Sequence, residues 1–254
     1  MVKVTLVDHM GSPKLVFDYL KYLTWPGDLE KMLGRLPTVD EMMELVIDRQ
    51  YTPVLEHIAY TFLLEDMSMV VSREFLEHRL SSHMGRSSRG FMKSWKPTYV
   101  TPEPIKKNKE AAKAFQDIVE TAVEGYGRLK KLGIKQDDAR FALPLASHCA
   151  YLWTVNANSL MNYFGLRLCP RAYREIQQMA QQMYNEVHKL HPELWKHVGC
   201  RGVQHRLCPE NEARDLSAPN CPFRERGSAN YIPTKDAVGE PIPPRRQWVA
   251  VKWE

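Results

Sequence analysis

Three groups of residues carry side chains able to do chemistry. The first is Glu77-His78-Arg79, then seven intervening residues, then Ser87-Ser88-Arg89. Residues 78–102 hold Arg79, Arg86, Arg89, Lys93 and Lys96, and no Asp or Glu. Guanidinium forks match phosphate oxygens and serine hydroxyls add neutral donors, so the stretch suits a phosphate. A charge run of this kind equally describes a solvated surface loop.

The second group is Arg140-Phe141-Ala142-Leu143-Pro144 with TVNANSLMNYFGLR at 154–167. Amide side chains here offer both donors and acceptors to a polar ring, and Arg167 offers a cation to an anion. The same residues also read as an N-cap at Asn156 and a helix-dipole partner at Arg167. The third group is Cys200, His205, Cys208 and Cys221, which are either zinc ligands or simply thiols. The spacing is loose for zinc, with no close C-x-x-C pair. No G-x-G-x-x-G follows a strand, and there is no Walker loop, nucleophile elbow or H-E-x-x-H. A nucleotide bound here is therefore not held in a Rossmann or P-loop manner.

Positioning these residues requires strands and helices in alternation. The β-branched run VKVTLV predicts a strand over 2–7, and IAYTFLLE predicts another over 58–65. Thr38 is placed to cap a helix over VDEMMELVIDR, and Ser68 to cap one over MVVSREFLEHRL. Residues 78–102 read as a basic loop. Lys106 to Lys131 reads as one helix, with Phe115, Ile118, Ala122, Tyr126 and Leu129 on its apolar face and Gly133 as its stop. Asp137 to Phe141 suggests a short helix and HCAYLWTV (148–155) a buried strand. Two further helices are expected at 156–167 and 171–190, divided by Pro170. The second has a stripe of Ile176, Met179, Ala180, Met183 and Val187.

The chain has 254 residues, 35 Lys plus Arg against 30 Asp plus Glu, and a net charge of +5. That mild excess does not by itself indicate nucleic-acid binding. Hydrophobic residues at 44% and charged residues at 26% exclude disorder for the body of the chain. No apolar run approaches the roughly 20 residues that span a bilayer. The start, MVKVTLVDHMGS, lacks the features of a signal peptide, so a cytoplasmic protein is expected, with no membrane partner. The fold class expected is α+β, a central, mostly antiparallel sheet packed with helices. One domain is expected over 1–223, with 224–254 as an extended tail.

In order, these segments resemble the flavin-dependent thymidylate synthases. That family carries an R-H-R-x7-S signature, seen here as EHRLSSHMGRS (77–87), and a T-P-F-E-H-like segment, seen as TPVLEH (52–57). Its R-x-x-L-P block appears as RFALP (140–144), its T-V-N-A-R-S-L block as TVNANSLMNYFGLR, and an A-Q-x-E-I-like piece as AYREI (172–176). The similarity covers roughly residues 50–200, and preserved order makes it specific.

The resemblance implies a homotetramer and FAD held without a Rossmann motif. It implies reductive methylation of carbon 5 of a pyrimidine nucleotide, dUMP to dTMP by default, with methylenetetrahydrofolate and NADPH as co-substrates. On the matched positions, Arg167 would be catalytic, its cation favouring the ionised pyrimidine. Thr52, His78, Arg79, Leu80, Asn156, Asn158 and Asn162 would contact flavin. Glu74, Glu77, Ser87, Ser88, Arg89, Arg140 and Arg167 would contact the nucleotide.

The departures are Glu77 for the first Arg, Glu74 for a Gln, Met84-Gly85 for an Asn-Glu pair, Asn158 for an Arg and Gln50 for a His. A carboxylate about 5 Å from a phosphate repels it by on the order of 3 kcal/mol at an effective dielectric of about 20. Glu74 or Glu77 would suit a hydrogen-bond donor that dUMP lacks, such as a ribose 2′-hydroxyl or a cytosine amino group. The alternatives are thus a member methylating UMP or a cytosine nucleotide, or a non-catalytic relative that binds flavin or nucleotide.

Overall fold

Strand β1 (Lys3–Met10) opens the fold where the β-branched alternation begins, and runs past the expected end at residue 7. Helix α1 (Pro13–Thr24) starts on a proline, whose fixed φ and missing N–H suit a first turn. Helix α2 (Val39–Arg49) follows Thr38 as expected. A 3-10 helix (Thr52–His57) leads into β2 (Ala59–Ser68) and α3 (Met69–Phe75). Next come β3 (Ser81–Gly85), α4 (Glu103–Lys106), α5 (Lys109–Lys131), α6 (Gln136–Ala139) and a 3-10 turn at Arg140–Ala142. The chain continues through β4 (His148–Asn156), α7 (Ala157–Arg167), α8 (Arg174–Leu190), α9 (Pro192–Trp195) and α10 (Arg201–His205). This computed structural model describes residues 2–24, 38–49, 51–86 and 98–205. Ser87, Ser88, Arg89, Gln50, Cys208, Cys221 and the tail at 224–254 lie outside the described residues. No helix among the described residues is long and apolar enough to cross a membrane.

The chain divides into two compact units, Met1–Asp8 with Thr61–Val155 and His9–Tyr60 with Asn156–Glu254. The first is built on the four-stranded antiparallel sheet, in the order β1-β2-β4-β3. Along β3 and β4, Ser81 faces Val155, His83 faces Trp153 and Gly85 faces Tyr151. Ser68 caps α3, its hydroxyl accepting from the Val71 amide at 3.2 Å. Phe75, at the end of α3, meets the fully buried Trp153 ring edge-on at 4.8 Å, and Phe62 stacks on the same indole at 6.1 Å.

The start of the basic segment is not a loop, because Ser81–Gly85 pairs with β4. Its residues have weak strand propensity, and the neighbouring strand supplies the ladder that makes them a strand. Helix α3 stops at Phe75, well short of Leu80. The expected long helix is broken at Asn108, whose Oδ1 accepts from the amides of Glu110 and Ala111 and so starts α5 afresh. Within α5, Tyr126 of the expected apolar face is buried and Phe115, Ala122 and Leu129 are half-buried, but Ile118 is 67% exposed and Val119 is buried in its place. Helix α5 does end as expected, with Gly133 at φ +82°.

In the second unit, the α8 stripe Ile176, Met179, Ala180, Met183 and Val187 is buried as its spacing requires. Phe164 packs on Tyr184 at 5.5 Å and on Trp195 at 5.3 Å. Trp195 Nε1 donates to the Tyr60 hydroxyl at 3.0 Å, which in turn lies 2.9 Å from His191 Nδ1. Having accepted from the indole, the phenol donates its own hydrogen, so Nδ1 is the acceptor and Nε2 carries the imidazole hydrogen. Burial pushes the Tyr60 phenol up and the His191 imidazole down, in keeping with an uncharged pair. Asp40 of α2 binds Lys196 at 2.7 Å and accepts from His197 Nε2, tying α2 to the segment after α9. Burial raises the Asp40 carboxyl, but the hydrogen bonds and charges of Lys196 and His197 outweigh it and hold it below the ordinary 3.8.

Gly11 has φ +85°, and a Cβ there would fall 2.4 Å from the His57 carbonyl oxygen. Gly11→Ala is expected to lose about 2–3 kcal/mol, read by denaturant unfolding. A depressed carboxyl stabilises above its unfolded pKa, and the gain is lost as pH falls through the folded one. The melting temperature of the wild type is therefore expected to exceed that of Asp40→Asn at neutral pH. The gap should close in acid below about pH 4; a gap independent of pH would refute the pairing.

Candidate active site

Helix α3 delivers its last turn and the segment after it as one presenting surface in the first unit. Glu74 is half-buried on this turn. The Glu77 carboxylate lies 3.4 Å from Arg73 Nη2, an i,i+4 pair on an exposed face. The charge that replaces an Arg in the signature thus has a local counter-ion, worth little in stability but enough to turn part of its field. His78 is half-buried, whereas Arg79 and Leu80 face solvent, Leu80 at 82% exposure. Backbone bonds from His78 N to Phe75 O and from Arg79 N to Glu77 O shape the turn. Ser81 Oγ donates to the His78 carbonyl at 2.7 Å, and His83 Nε2 lies 3.0 Å from the same oxygen.

Arg140 stands elsewhere in this unit, in the 3-10 turn beside α5. Its Nε donates to the Asp137 carbonyl at 3.1 Å, which orients the guanidinium from behind. A cavity of about 80 Å³ is lined by Ser72, Arg86, Ser147, His148, Cys149 and Tyr151. Ser72 Oγ and the Tyr151 hydroxyl share a hydrogen bond of 3.1 Å, and the Ser147 hydroxyl, 2% exposed, has no hydrogen-bond partner. Arg86, on its rim, immediately precedes Ser87 in the chain. Sequence reasoning gave no role to Ser72, Tyr151, Ser81 or His83; the i,i+2 spacing of Ser81 and His83 was the available signal that they share a strand face.

In the second unit, helix α7 carries four of the expected residues. Asn156 is its N-cap, with Oδ1 accepting from the Ser159 amide at 2.8 Å. The amide nitrogen and the second lone pair of Oδ1 are what Asn156 can offer a ligand. Asn158, which replaces an Arg, donates to Glu56 Oε1 at 3.0 Å. This bond and the Ala157 N to Ile58 O bond of 2.7 Å seat α7 on the 3-10 helix that begins with Thr52. Thr52, Asn156 and Asn158 are therefore brought to one end of α7. Asn162 is exposed one turn on, its Oδ1 3.4 Å from Arg201 Nη2. Arg167 closes the helix, half-buried, where a cation also complements the dipole.

An apolar cavity of about 390 Å³ flanks the same 3-10 helix, with Val16, Tyr19, Leu23, Tyr51, Pro53 and His57 in its wall. Its size and apolar lining are those of a small-molecule site. Among the described residues no three His, Cys, Asp or Glu converge as metal ligands, and of the cysteine group Cys200 is buried.

The donor set suits a flavin. Within the second unit, the amide and hydroxyl groups of Thr52, Asn156 and Asn162 are of the kind that pairs with the alternating donors and acceptors of a flavin ring system; within the first, the exposed Arg79 guanidinium is of the kind that pairs with a diphosphate.

Comparison with known proteins agrees with the motif order. The sequence profile of the family described as thymidylate synthase complementing protein matches residues 5–193. The flavin-dependent thymidylate synthase of Pyrococcus furiosus is 31% identical over 231 residues, 87% of this chain and 93% of its own. That of Pyrococcus abyssi is 32% identical over 236 residues, 89% and 96% of the two chains. That of Sulfolobus acidocaldarius is 39% identical over 164 residues, covering 63% and 61%. The crystal structure of a UMP/dUMP methylase, PolB from Streptomyces cacaoi bound with 5-Br dUMP, shares the fold with a TM-score of 0.64. It is 22% identical and covers 76% of this chain and 93% of its own. By this reach of similarity, and by the signature turn and α7 block that carry it, the chain belongs to the flavin-dependent thymidylate synthase family and is a methyltransferase of that type.

Proposed function

We propose that this enzyme transfers a one-carbon unit from methylenetetrahydrofolate to carbon 5 of a pyrimidine nucleotide and reduces it to methyl. The substrate we assign is dUMP, with FAD as cofactor and NADPH as reductant, in a cytoplasmic homotetramer. The observation that carries this reading is Arg167, kept at the end of the TVNANSLMNYFGLR helix although Asn158 in the same helix has changed.

Bound FAD supplies the hydride for this chemistry. The remaining work falls to the chain. Arg167 favours the pyrimidine with its ring nitrogen ionised, which raises electron density at carbon 5 and removes the need for a thiolate nucleophile. Arg140, with Ser87, Ser88 and Arg89, holds the nucleotide phosphate. Arg79 and Leu80 take the flavin together with His78, while Thr52, Asn156, Asn158 and Asn162 serve its polar edges. Asn158 does so less strongly than an Arg, because its amide is already engaged with Glu56.

A second reading, UMP or a cytosine nucleotide as substrate, is favoured by Glu74. It is a half-buried carboxylate on the presenting turn, and an ionised carboxylate only accepts hydrogen bonds. The fold relative from Streptomyces cacaoi is a UMP/dUMP methylase, which places UMP beside dUMP in the assay.

Purified protein is expected to be yellow and to form dTMP from dUMP when given FAD, NADPH and methylenetetrahydrofolate. UMP, dCMP and CMP run in parallel. Methylation of dUMP alone refutes the second reading, and methylation of none of the four refutes both. Arg167→Ala is expected to lower turnover by about a hundredfold while the protein keeps its flavin absorbance.

A further inference from the structure

We infer that Ser81 and His83 are positioning residues that clamp the carbonyl of His78 and so hold the Arg79-Leu80 turn in the shape that receives flavin. The inference rests on the proposal that this turn contacts FAD. Arg79 is exposed and Leu80 is 82% exposed, so packing of those two side chains does not fix the turn. The backbone bonds at its entry tie only residues 77–79 back to the helix end. The first polar attachment from the following strand is made at the His78 oxygen.

Three short distances define that attachment. Ser81 Oγ to His78 O is 2.7 Å, His83 Nε2 to His78 O is 3.0 Å, and Ser81 Oγ to His83 Nε2 is 2.9 Å. A carbonyl only accepts, and the serine has one hydrogen, which it gives to the carbonyl. The imidazole therefore completes the triangle as a donor, with its hydrogen on Nε2. The opposite tautomer would set a lone pair against the carbonyl oxygen. Nδ1 is buried with no hydrogen-bond partner.

The ring cannot turn freely to another partner. It meets Phe75 edge-on at 4.8 Å and lies 6.0 Å from Trp153 and 6.4 Å from Tyr151. Strand pairing fixes its base, since His83 sits opposite Trp153 in the β3–β4 ladder. A rigid aromatic wall thus aims one N–H at one backbone oxygen. Free of the clamp, the turn would have to find water for that oxygen and would sample several shapes before binding a ligand, which weakens affinity without removing a contact.

The test measures FAD dissociation constants, by flavin fluorescence, for the full chain and for Ser81→Ala, His83→Leu, His83→Gln and Arg79→Ala. Leucine fills the aromatic wall but donates nothing, whereas the glutamine amide nitrogen can take the place of Nε2. Loss of the hydrogen bond is expected to weaken FAD binding about tenfold in Ser81→Ala and His83→Leu. His83→Gln should return to within about threefold of wild type, which a purely structural role for the ring would not produce. If Arg79→Ala weakens FAD binding but Ser81→Ala and His83→Leu bind as wild type, the clamp is refuted and the flavin site stands. If Arg79→Ala also binds as wild type, the turn is not a flavin contact and the clamp falls with it. Failure of His83→Gln to recover affinity likewise overturns the donor role.

Discussion

The edge-on contact between Phe75 and Trp153 governs the first unit. An indole that is fully buried in the middle of β4 can neither shift along its strand nor rotate out, and Phe62 stacks on it as well. Phe75 is the last residue of α3, so the helix must stop at this point over the sheet. The segment from Glu77 to Leu80 departs from the point that this ring contact sets. Aromatic pairs add only about 0.5–1.5 kcal/mol beyond the area they bury. Their value here is geometric, because they convert packing of the core into the location of a polar, exposed turn.

The departures from the family pattern are accommodated locally. Glu77 finds Arg73 one turn earlier on its own helix, and Asn158 finds Glu56 at the end of the 3-10 helix. In each case the new side chain has acquired a partner without disturbing the element that carries it. The fold therefore tolerates a reversed charge at one position and a lost charge at another. Any change in function would come through the field felt by a ligand.

Elements with their own caps and periodicity were readable from the chain: Ser68 at the start of α3, the apolar stripe of α8, Asn156 at the start of α7 and the stop after α5. Strand β3 was not, because Ser-Ser-His-Met-Gly has no alternation of its own and gains its ladder from a partner some seventy residues away. The break at Asn108 was missed for a related reason, since an amide that caps a new helix looks from spacing alone like a polar residue on an old one. For the site, motif order located the turn and the α7 block. It was blind to Ser81 and His83, whose contribution is made to a backbone atom.

Gly85 and Tyr151 face one another across the β3–β4 ladder, and a Cβ at position 85 would lie 2.7 Å from the phenol ring. The missing side chain is the space that the ring occupies, and the ring carries the hydroxyl bonded to Ser72. Position 85 can therefore not acquire a side chain while the ring stays in place. An acidic side chain restored at 85 would evict the phenol and strand the serine, so a chain with Glu at this position would need a smaller neighbour at 151 first. The two sites form a lock with a required order of opening, in which the bulk at 151 must shrink before position 85 can acquire a side chain.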